Sequence, residues 1–260
     1  MTHSHKFYKY QGTGNDFVMI DNRNETFPVS QTYIEHLCHR RFGIGADGLI
    51  LLQNDSNNDF RMVYFNADGR EGSMCGNGGR CTVRFAEDLG IFKNETTFIA
   101  VDGEHTAQAN AEVISLKMGE VHSLERHNEY DFMNTGSPHY VAYVTDIEAF
   151  DVFSEGKKIR YAEEWVKRGG TNINFVEMIN DETIYVRTYE RGVEDETYSC
   201  GTGVTAAALS ANLRFNMKSP IKVITKGGNL KVSFGRRTAE DNFQNIHLIG
   251  PAVKVFEGIL

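Results

Sequence analysis

A cysteine followed at once by small residues occurs twice in this chain, as Cys75-Gly76-Asn77-Gly78-Gly79 and as Cys200-Gly201-Thr202-Gly203. Each copy lies between a strand-like run and a helix-like run. A backbone that switches there from extended to helical places its cysteine at a helix N-terminus. Unpaired N–H groups and the positive end of the helix dipole favour a thiolate at that point and can also hold a carboxylate. Two further segment pairs keep the register. Gly14-Asn15-Asp16-Phe17-Val18 matches Gly136-Ser137-Pro138-His139-Tyr140-Val141, and Ala46-Asp47-Gly48-Leu49-Ile50 matches Asn172-Ile173-Asn174-Phe175-Val176. Their offsets are 122 and 126 residues, against 125 for the cysteine loops. Chance rarely preserves order and spacing together, so the chain reads as a duplication of an α+β unit. Residues 1–128 form a half carrying Cys75, and residues 129–250 a half carrying Cys200. The last strand, about 251–260, returns to the first half. Halves that face one another would aim both helix starts into one cleft.

The remaining segments fit this frame. Lys6–Tyr10 and Phe17–Asp21 read as strands joined by the tight loop Gly12-Thr13-Gly14-Asn15-Asp16. Ser30 is a candidate N-cap for a helix to about Arg41, whose Ile34, Leu37 and Cys38 share a face, making Cys38 a core residue. Strands follow at Leu49–Leu52 and Phe60–Phe65. A helix from about Gly78 to Leu89 spaces Cys81, Phe85 and Leu89 by four residues, so Cys81 is expected to be packed, and Gly90 suits a left-handed C-terminal position. Residues 96–117 predict an antiparallel meander, and the more polar stretch 119–134 a crossing between the halves. Next come a strand at Tyr140–Val144, one helix near Glu155–Lys167, and strands at Asn174–Met178 and Thr183–Tyr189. An Ala-rich helix to about Asn216 precedes a hairpin around Gly227-Gly228 and strands near Asn245–Leu248 and Ala252–Phe256.

Charge narrows the partners. With 35 acidic against 27 basic residues the net charge is −8, and no basic run exceeds the pairs Arg40-Arg41, Lys157-Lys158, Lys167-Arg168 and Arg236-Arg237. That argues against nucleic acid and anionic membranes as partners and leaves a small-molecule substrate. Met1 to Lys6 lack the apolar core of a signal peptide. The run Leu49-Ile50-Leu51-Leu52 falls far short of the roughly 18 apolar residues of a membrane helix. A cytoplasmic protein is expected, in which the cysteines at 38, 75, 81 and 200 are not structural disulfides. There is no Cys-x-x-Cys pair and no histidine at zinc-finger spacing, hence no expected metal. There is also no P-loop and no Gly-x-Gly-x-x-Gly after a strand, and nothing calls for a cofactor.

Two opposed thiols suggest a specific chemistry. A carbon flanked by two acid/base groups loses a proton to one side and regains it from the other, which inverts the stereocentre. One cysteine must then be thiolate and the other thiol, with roles exchanged by substrate handedness. The free backbone N–H groups at those helix starts would hold a carboxylate and stabilise charge as the α-proton leaves. Glu190 and Arg191, at a strand end shortly before Cys200, would meet an ammonium and a carboxylate, or form a surface ion pair. Asn15, Asn66, Asn77 and Asn172 are turn formers singly and a polar pocket as a set. His139 either tunes a neighbouring cysteine or satisfies a backbone carbonyl.

In order along nearly the whole chain, Gly12-Thr13-Gly14-Asn15-Asp16-Phe17, Gly43-Ile44-Gly45-Ala46-Asp47-Gly48, Phe65-Asn66-Ala67-Asp68-Gly69 and Met74-Cys75-Gly76-Asn77-Gly78-Gly79-Arg80-Cys81 are followed by Gly136-Ser137-Pro138-His139, Asn172 with Phe175-Val176, Glu190-Arg191-Gly192 and Cys200-Gly201-Thr202-Gly203. This set resembles the cofactor-independent diaminopimelate epimerase family. The resemblance implies two pseudo-symmetric halves, each a mainly antiparallel sheet wrapped around a central helix. It also implies a homodimer that interconverts LL- and meso-2,6-diaminopimelate for lysine and peptidoglycan-precursor synthesis. It assigns Cys75 and Cys200 as the acid/bases and Gly76-Asn77 and Gly201-Thr202 as the cradle of the reacting carboxylate. Glu190 would hold the reacting amine, and Asn15, Asn66, Asn172 and Arg191 would read the distal end. Three departures stand out. Ser137 takes the place of an asparagine ligand, Gly48 that of a glutamine in some members, and the loop Gly192 to Thr197 is one residue longer. The competing expectations are a two-thiol racemase acting on proline, hydroxyproline or histidine, a non-catalytic binding protein, and a thiol redox protein.

Overall fold

A computed structural model describes residues 4–111, 113–237 and 242–260; of the N-terminal segment read above, Met1 to His3 lie outside them. The chain divides into two compact units, residues 1–116 with 250–260, and residues 117–249. The first unit carries β1 (Lys6–Gly12), β2 (Asn15–Asp21), α1 (Gln31–Cys38), β3 (Gly48–Gln53), β4 (Phe60–Asn66), α2 (Gly76–Asp88), β5 (Glu95–Ala100), β6 (Gly103–Asn110) and β7 (Val113–Lys117). The second carries β8 (Leu124–Arg126), β9 (Tyr130–Asn134), β10 (Pro138–Tyr143), α3 (Val152–Arg160), α4 (Glu163–Lys167), β11 (Asn172–Asn180), β12 (Thr183–Glu190), β13 (Asp195–Thr197), α5 (Gly201–Phe215), β14 (Ile221–Thr225), β15 (Gly228–Arg237) and β16 (Asn242–Pro251). The final strand, β17 (Val253–Ile259), pairs antiparallel with β1 and so belongs to the first unit.

Strand pairing in the first unit runs β17–β1–β2–β3–β4–β5–β6–β7. In the second it runs β8–β9–β10–β11–β12–β14–β15–β16. Both follow one series of directions: antiparallel, antiparallel, parallel, antiparallel, parallel, antiparallel, antiparallel. The two units are therefore pseudo-symmetric copies of one α+β plan, with β17 standing where β8 stands. The boundary falls at 116/117, ahead of the 128 read from sequence. The polar stretch 119–134 contains β8 and β9, whose pairing with each other and with β10 ties them to the second sheet.

Alternation along the strands decides what each face covers. In the first unit Val18, Ile20, Leu49 and Leu51 pack with Ile34, Leu37 and Cys38 of α1. Tyr8 and Tyr10 point to the other face, where their rings meet Phe85 of α2. The sheet wraps α2, which touches β1, β2, β3, β4 and β6. In the second unit α5 holds the same central place. Val204, Ala206, Ala207, Ala208, Leu209 and Ala211 are all buried against Val141, Val176, Ile184, Val223 and Leu248. A helix that is apolar all round is stable only when enclosed, and each fully buried Val or Leu contributes about 1.5–3 kcal/mol. The small residues let the sheet close over it.

The outer face of the second sheet packs Tyr140, Ile173, Phe175 and Tyr189 with Trp165 and Val152. The single helix expected near 155–167 is two helices, capped at the start by Asp151 and interrupted where Ala162 turns extended at φ −62° and ψ 143°. The break lets Trp165 turn its ring edge-on to Tyr140. Packing of one large aromatic overrides the helical propensity of the segment. Among the described residues, no helix is long and apolar enough to cross a membrane.

Candidate active site

Each central helix starts on its cysteine. Cys75 is the N-cap of α2 and Cys200 that of α5, both with extended backbone, at φ −110° and −114°. Their carbonyls accept the first helical hydrogen bonds, from Gly79 N at 2.7 Å and from Val204 N at 2.8 Å. By helical geometry the N–H groups of the first turn then point out of the helix end beside the sulfur. The other two cysteines stand elsewhere. Burial pushes the thiols of Cys38 and Cys81 up to about 12, so both stay protonated and unreactive at neutral pH. Both are core residues, as the helical spacing predicts.

In the first unit the structure joins Cys75 to two of the expected amides. Cys75 Sγ lies 3.6 Å from Asn15 Oδ1, and Asn77 Nδ2 donates to the same oxygen at 3.3 Å. Asn15 is oriented by Asp47, whose carboxylate accepts from Asn15 Nδ2 at 2.7 Å. Arg40 grips Asp47 and Asp16 together, at 2.6 and 2.7 Å, and Lys9 meets Asp16 at 2.7 Å. Burial works against the Asp16 charge, but Arg40 and Lys9 outweigh it and hold the carboxyl at about 2. This charged clasp pins the β1–β2 loop. Asn66 is exposed at the end of β4, where its backbone closes the turn to Gly69.

Beneath Cys75 lies a residue that the sequence reading passed over. Arg80, on the second turn of α2, has no exposed surface. Its chain runs back toward the helix start, as long helical side chains do. Nη1 approaches Gly76 O at 3.5 Å, Nη2 donates to Thr13 Oγ1 at 3.2 Å, and Nε has no hydrogen-bond partner among the described residues. Burial brings the guanidinium down to about 10, with the sulfurs of Cys81 and Cys75 acting the other way, so it remains a cation at neutral pH. An unpaired buried cation is costly unless an anion comes to it. Gly12 makes room for it, since a Cβ there would stand 3.3 Å from Nη2.

The second unit assembles a different set around Cys200. Cys200 Sγ lies 3.4 Å from Thr202 Oγ1, which lies 2.8 Å from His139 Nε2. Ser137 Oγ completes the cluster, 2.9 Å from His139 Nε2 and 3.2 Å from Thr202 Oγ1. Asn172 Nδ2 donates to Ser137 Oγ at 3.2 Å, and Asn172 Oδ1 accepts from Arg191 N at 2.9 Å. Arg191 Nη1 donates to Gly169 O, and Glu190 accepts from Thr197 Oγ1 at 2.9 Å. Thr135 Oγ1 donates to the Thr202 carbonyl at 2.8 Å. His139 is fully buried; burial first, and the Arg191 charge second, push it down to about 3, so its imidazole is neutral at physiological pH.

Gathered residues thus include Cys75, Asn15 and Asn77 in one unit, and Cys200, Thr202, Ser137, His139, Asn172 and Arg191 in the other. Sequence reasoning missed Arg80, Asp47 and also Asn174, whose Nδ2 lies 3.1 Å from His139 Nδ1 and whose Oδ1 accepts from Thr188 Oγ1 at 3.0 Å. Asn174 had a signal, because Asn172-Ile173-Asn174 puts two amides on one face of a strand. Arg80 had none, lying inside a glycine-rich helix start that reads as polar. Among the described residues, no group of three or more His, Cys, Asp or Glu side chains gathers as a metal site requires.

The comparisons with known proteins agree with one another. The family model for diaminopimelate epimerase matches residues 7–124 and 132–255. A diaminopimelate epimerase from Flavobacterium psychrophilum is 54% identical over 255 residues, covering 97% of this chain and 98% of that protein. One from Aquifex aeolicus is 39% identical, covering 98% and 97%. Among solved structures, a Bacillus anthracis phenazine biosynthesis protein of the PhzF family superposes with a TM-score of 0.80 at 14% identity, covering 100% of this chain and 99% of that one. A probable proline racemase from Agrobacterium radiobacter gives 0.71 at 15% identity, covering 98% and 92%. At such identities these structures speak for the fold alone.

Proposed function

Because this chain belongs to the diaminopimelate epimerase family and is an isomerase, we propose that it interconverts LL- and meso-2,6-diaminopimelate by two-base proton transfer between sulfur and the α-carbon. Cys75 serves one face of that carbon and Cys200 the other. The observation that carries the assignment is the contrast among the four cysteines. Two cap the central helices, while the other two are buried thiols pushed up to about 12.

In this reading the thiolate takes the α-proton, and the thiol opposite returns one to the planar carbanion. The second isomer runs the same steps with the roles exchanged. First-turn N–H groups at Gly76-Asn77 and Gly201-Thr202 hold the reacting carboxylate and stabilise the negative charge that develops. Glu190 takes the ammonium, and Asn15, Asn66, Asn172 and Arg191 take the distal amino-acid end, with Ser137 and His139 in support. In this reading the two thiols carry the proton transfer without a cofactor. The product serves lysine and peptidoglycan-precursor synthesis in the cytoplasm. The working form is a homodimer, for which the exposed Val253, Val255 and Phe256 of β17 offer an apolar surface.

Solvent deuterium should enter the α-carbon of each diaminopimelate isomer, and a racemisation panel should show activity on LL-diaminopimelate. Activity on proline with none on LL-diaminopimelate would overturn the substrate assignment. Sedimentation as a monomer would overturn the dimer.

A further inference from the structure

His139 has no exposed surface and two nitrogens with opposite surroundings. Nε2 faces the hydroxyls of Thr202 and Ser137, groups that can donate or accept. Nδ1 faces Asn174 Nδ2 at 3.1 Å. The orientation of that amide is fixed by a group with no choice. The atom of Asn174 that faces His139 also lies 2.9 Å from the carbonyl of Tyr140, which only accepts, so it must be the NH2. On the other side of the amide, Thr188 Oγ1 donates to Asn174 Oδ1 at 3.0 Å. Gly203, in the first turn of α5, closes over the pair. A Cβ there would meet Asn174 Oδ1 at 2.3 Å and His139 Cε1 at 3.3 Å. The amide is held on three sides, by β10, by β12 and by the helix that begins on Cys200.

We propose that Asn174 is a positioning residue that fixes His139 as the Nε2–H tautomer, so that the imidazole donates toward Thr202 and Ser137 and leaves the Thr202 hydroxyl hydrogen for the Cys200 sulfur. Asn174 Nδ2 donates to Nδ1, and an accepting Nδ1 carries no proton. A neutral ring must then carry its proton on Nε2. Thr202 Oγ1 accepts from that N–H and turns its own hydrogen to Sγ, 3.4 Å away. A hydrogen bond donated to sulfur favours the thiolate. His139 is thus a donor whose polarity is set from behind, and not the base that strips the Cys200 thiol. The proposal rests on the reading of Cys200 as an acid/base.

The test has two readouts. Long-range proton–nitrogen correlation spectra of the 15N-labelled full chain, with His139 identified by its loss in His139→Gln, should show Nε2 protonated and Nδ1 bare from pH 5 to 9. An Nδ1–H ring or an imidazolium in that range would overturn the proposal. In Asn174→Asp a carboxylate faces Nδ1, which should then gain a proton. The pH midpoint for alkylation of Cys200 by iodoacetamide, followed by peptide mass spectrometry, should rise by roughly one unit while that of Cys75 stays put. Equal shifts at both cysteines would mark a merely structural effect and overturn the proposal. So would an unmoved Cys200 midpoint in a variant whose tautomer has changed. The wild-type spectrum decides the tautomer even where the variant does not fold. Because neither readout requires turnover, failure here is distinct from failure of the epimerase reading, which solvent deuterium incorporation tests.

Discussion

The two units share one strand plan and both begin the central helix on a cysteine, yet they surround that cysteine differently. Five residues beyond Cys75 stands Arg80, a buried cation whose chain folds back to Gly76. Five beyond Cys200 stands Thr205, whose hydroxyl donates to Gly201 O at 3.0 Å and brings no charge. Hydroxyls and a neutral imidazole line the second site, whereas an amide tethered to a carboxylate lines the first. Both units keep a sulfur on a helix start. In the proposed two-base reaction the two sulfurs hold different protonation states at any moment, which leaves their surroundings free to differ.

This comparison can be broken at several points. The largest effect belongs to the sulfurs: Cys75→Ala and Cys200→Ala should each reduce epimerisation by at least about 10³-fold with circular dichroism unchanged. Near-wild-type turnover in either would end the pairing. Next, Arg80→Met should raise the alkylation midpoint of Cys75 by about one to two units and leave Cys200 unmoved, with Arg80→Lys restoring part of the shift. A shift at both sulfurs would erase the contrast between the units. Thr202→Val should do the reverse on a smaller scale, raising the Cys200 midpoint by roughly one unit and sparing Cys75. The smallest effect concerns stability. His139 lies at about 3 in the folded chain, below its ordinary 6.5, so the unfolded chain binds the extra proton. Its contribution is complete above pH 6.5 and is lost as pH falls toward 3. His139→Gln should flatten the fall in melting temperature over that window, and an unchanged slope would count against a buried neutral imidazole.

Much of this architecture was legible because periodicity and small-residue punctuation are local signals. Cys38 and Cys81 declared themselves core residues by sharing faces with Ile34, Leu37 and Phe85, and Ser30 caps α1 through a hydrogen bond from Tyr33 N. The cysteine loops were readable because glycine after glycine leaves few conformations that suit both a strand end and a helix start. Arg80 was not, because nothing in a sequence distinguishes a guanidinium pointing to solvent from one folded back into the helix start. Nor could the tautomer of His139 be read, since it depends on the carbonyl of Tyr140 and the hydroxyl of Thr188 meeting one amide from two strands. The two helices α3 and α4 escaped for a similar reason, the demand of Trp165 for its aromatic neighbours.

The return of β17 to β1 has a consequence for how the chain comes into being. Residues 117–249 hold every strand of the second sheet, so that unit has all its pairing partners before synthesis reaches β17. The first unit takes the strand beside β1 from beyond the whole of the second unit in the sequence. Vectorial synthesis usually lets the N-terminal domain finish first. Here that order is offset, because the β1 edge of the half bearing Cys75 gains β17 only after the half bearing Cys200 has been synthesised.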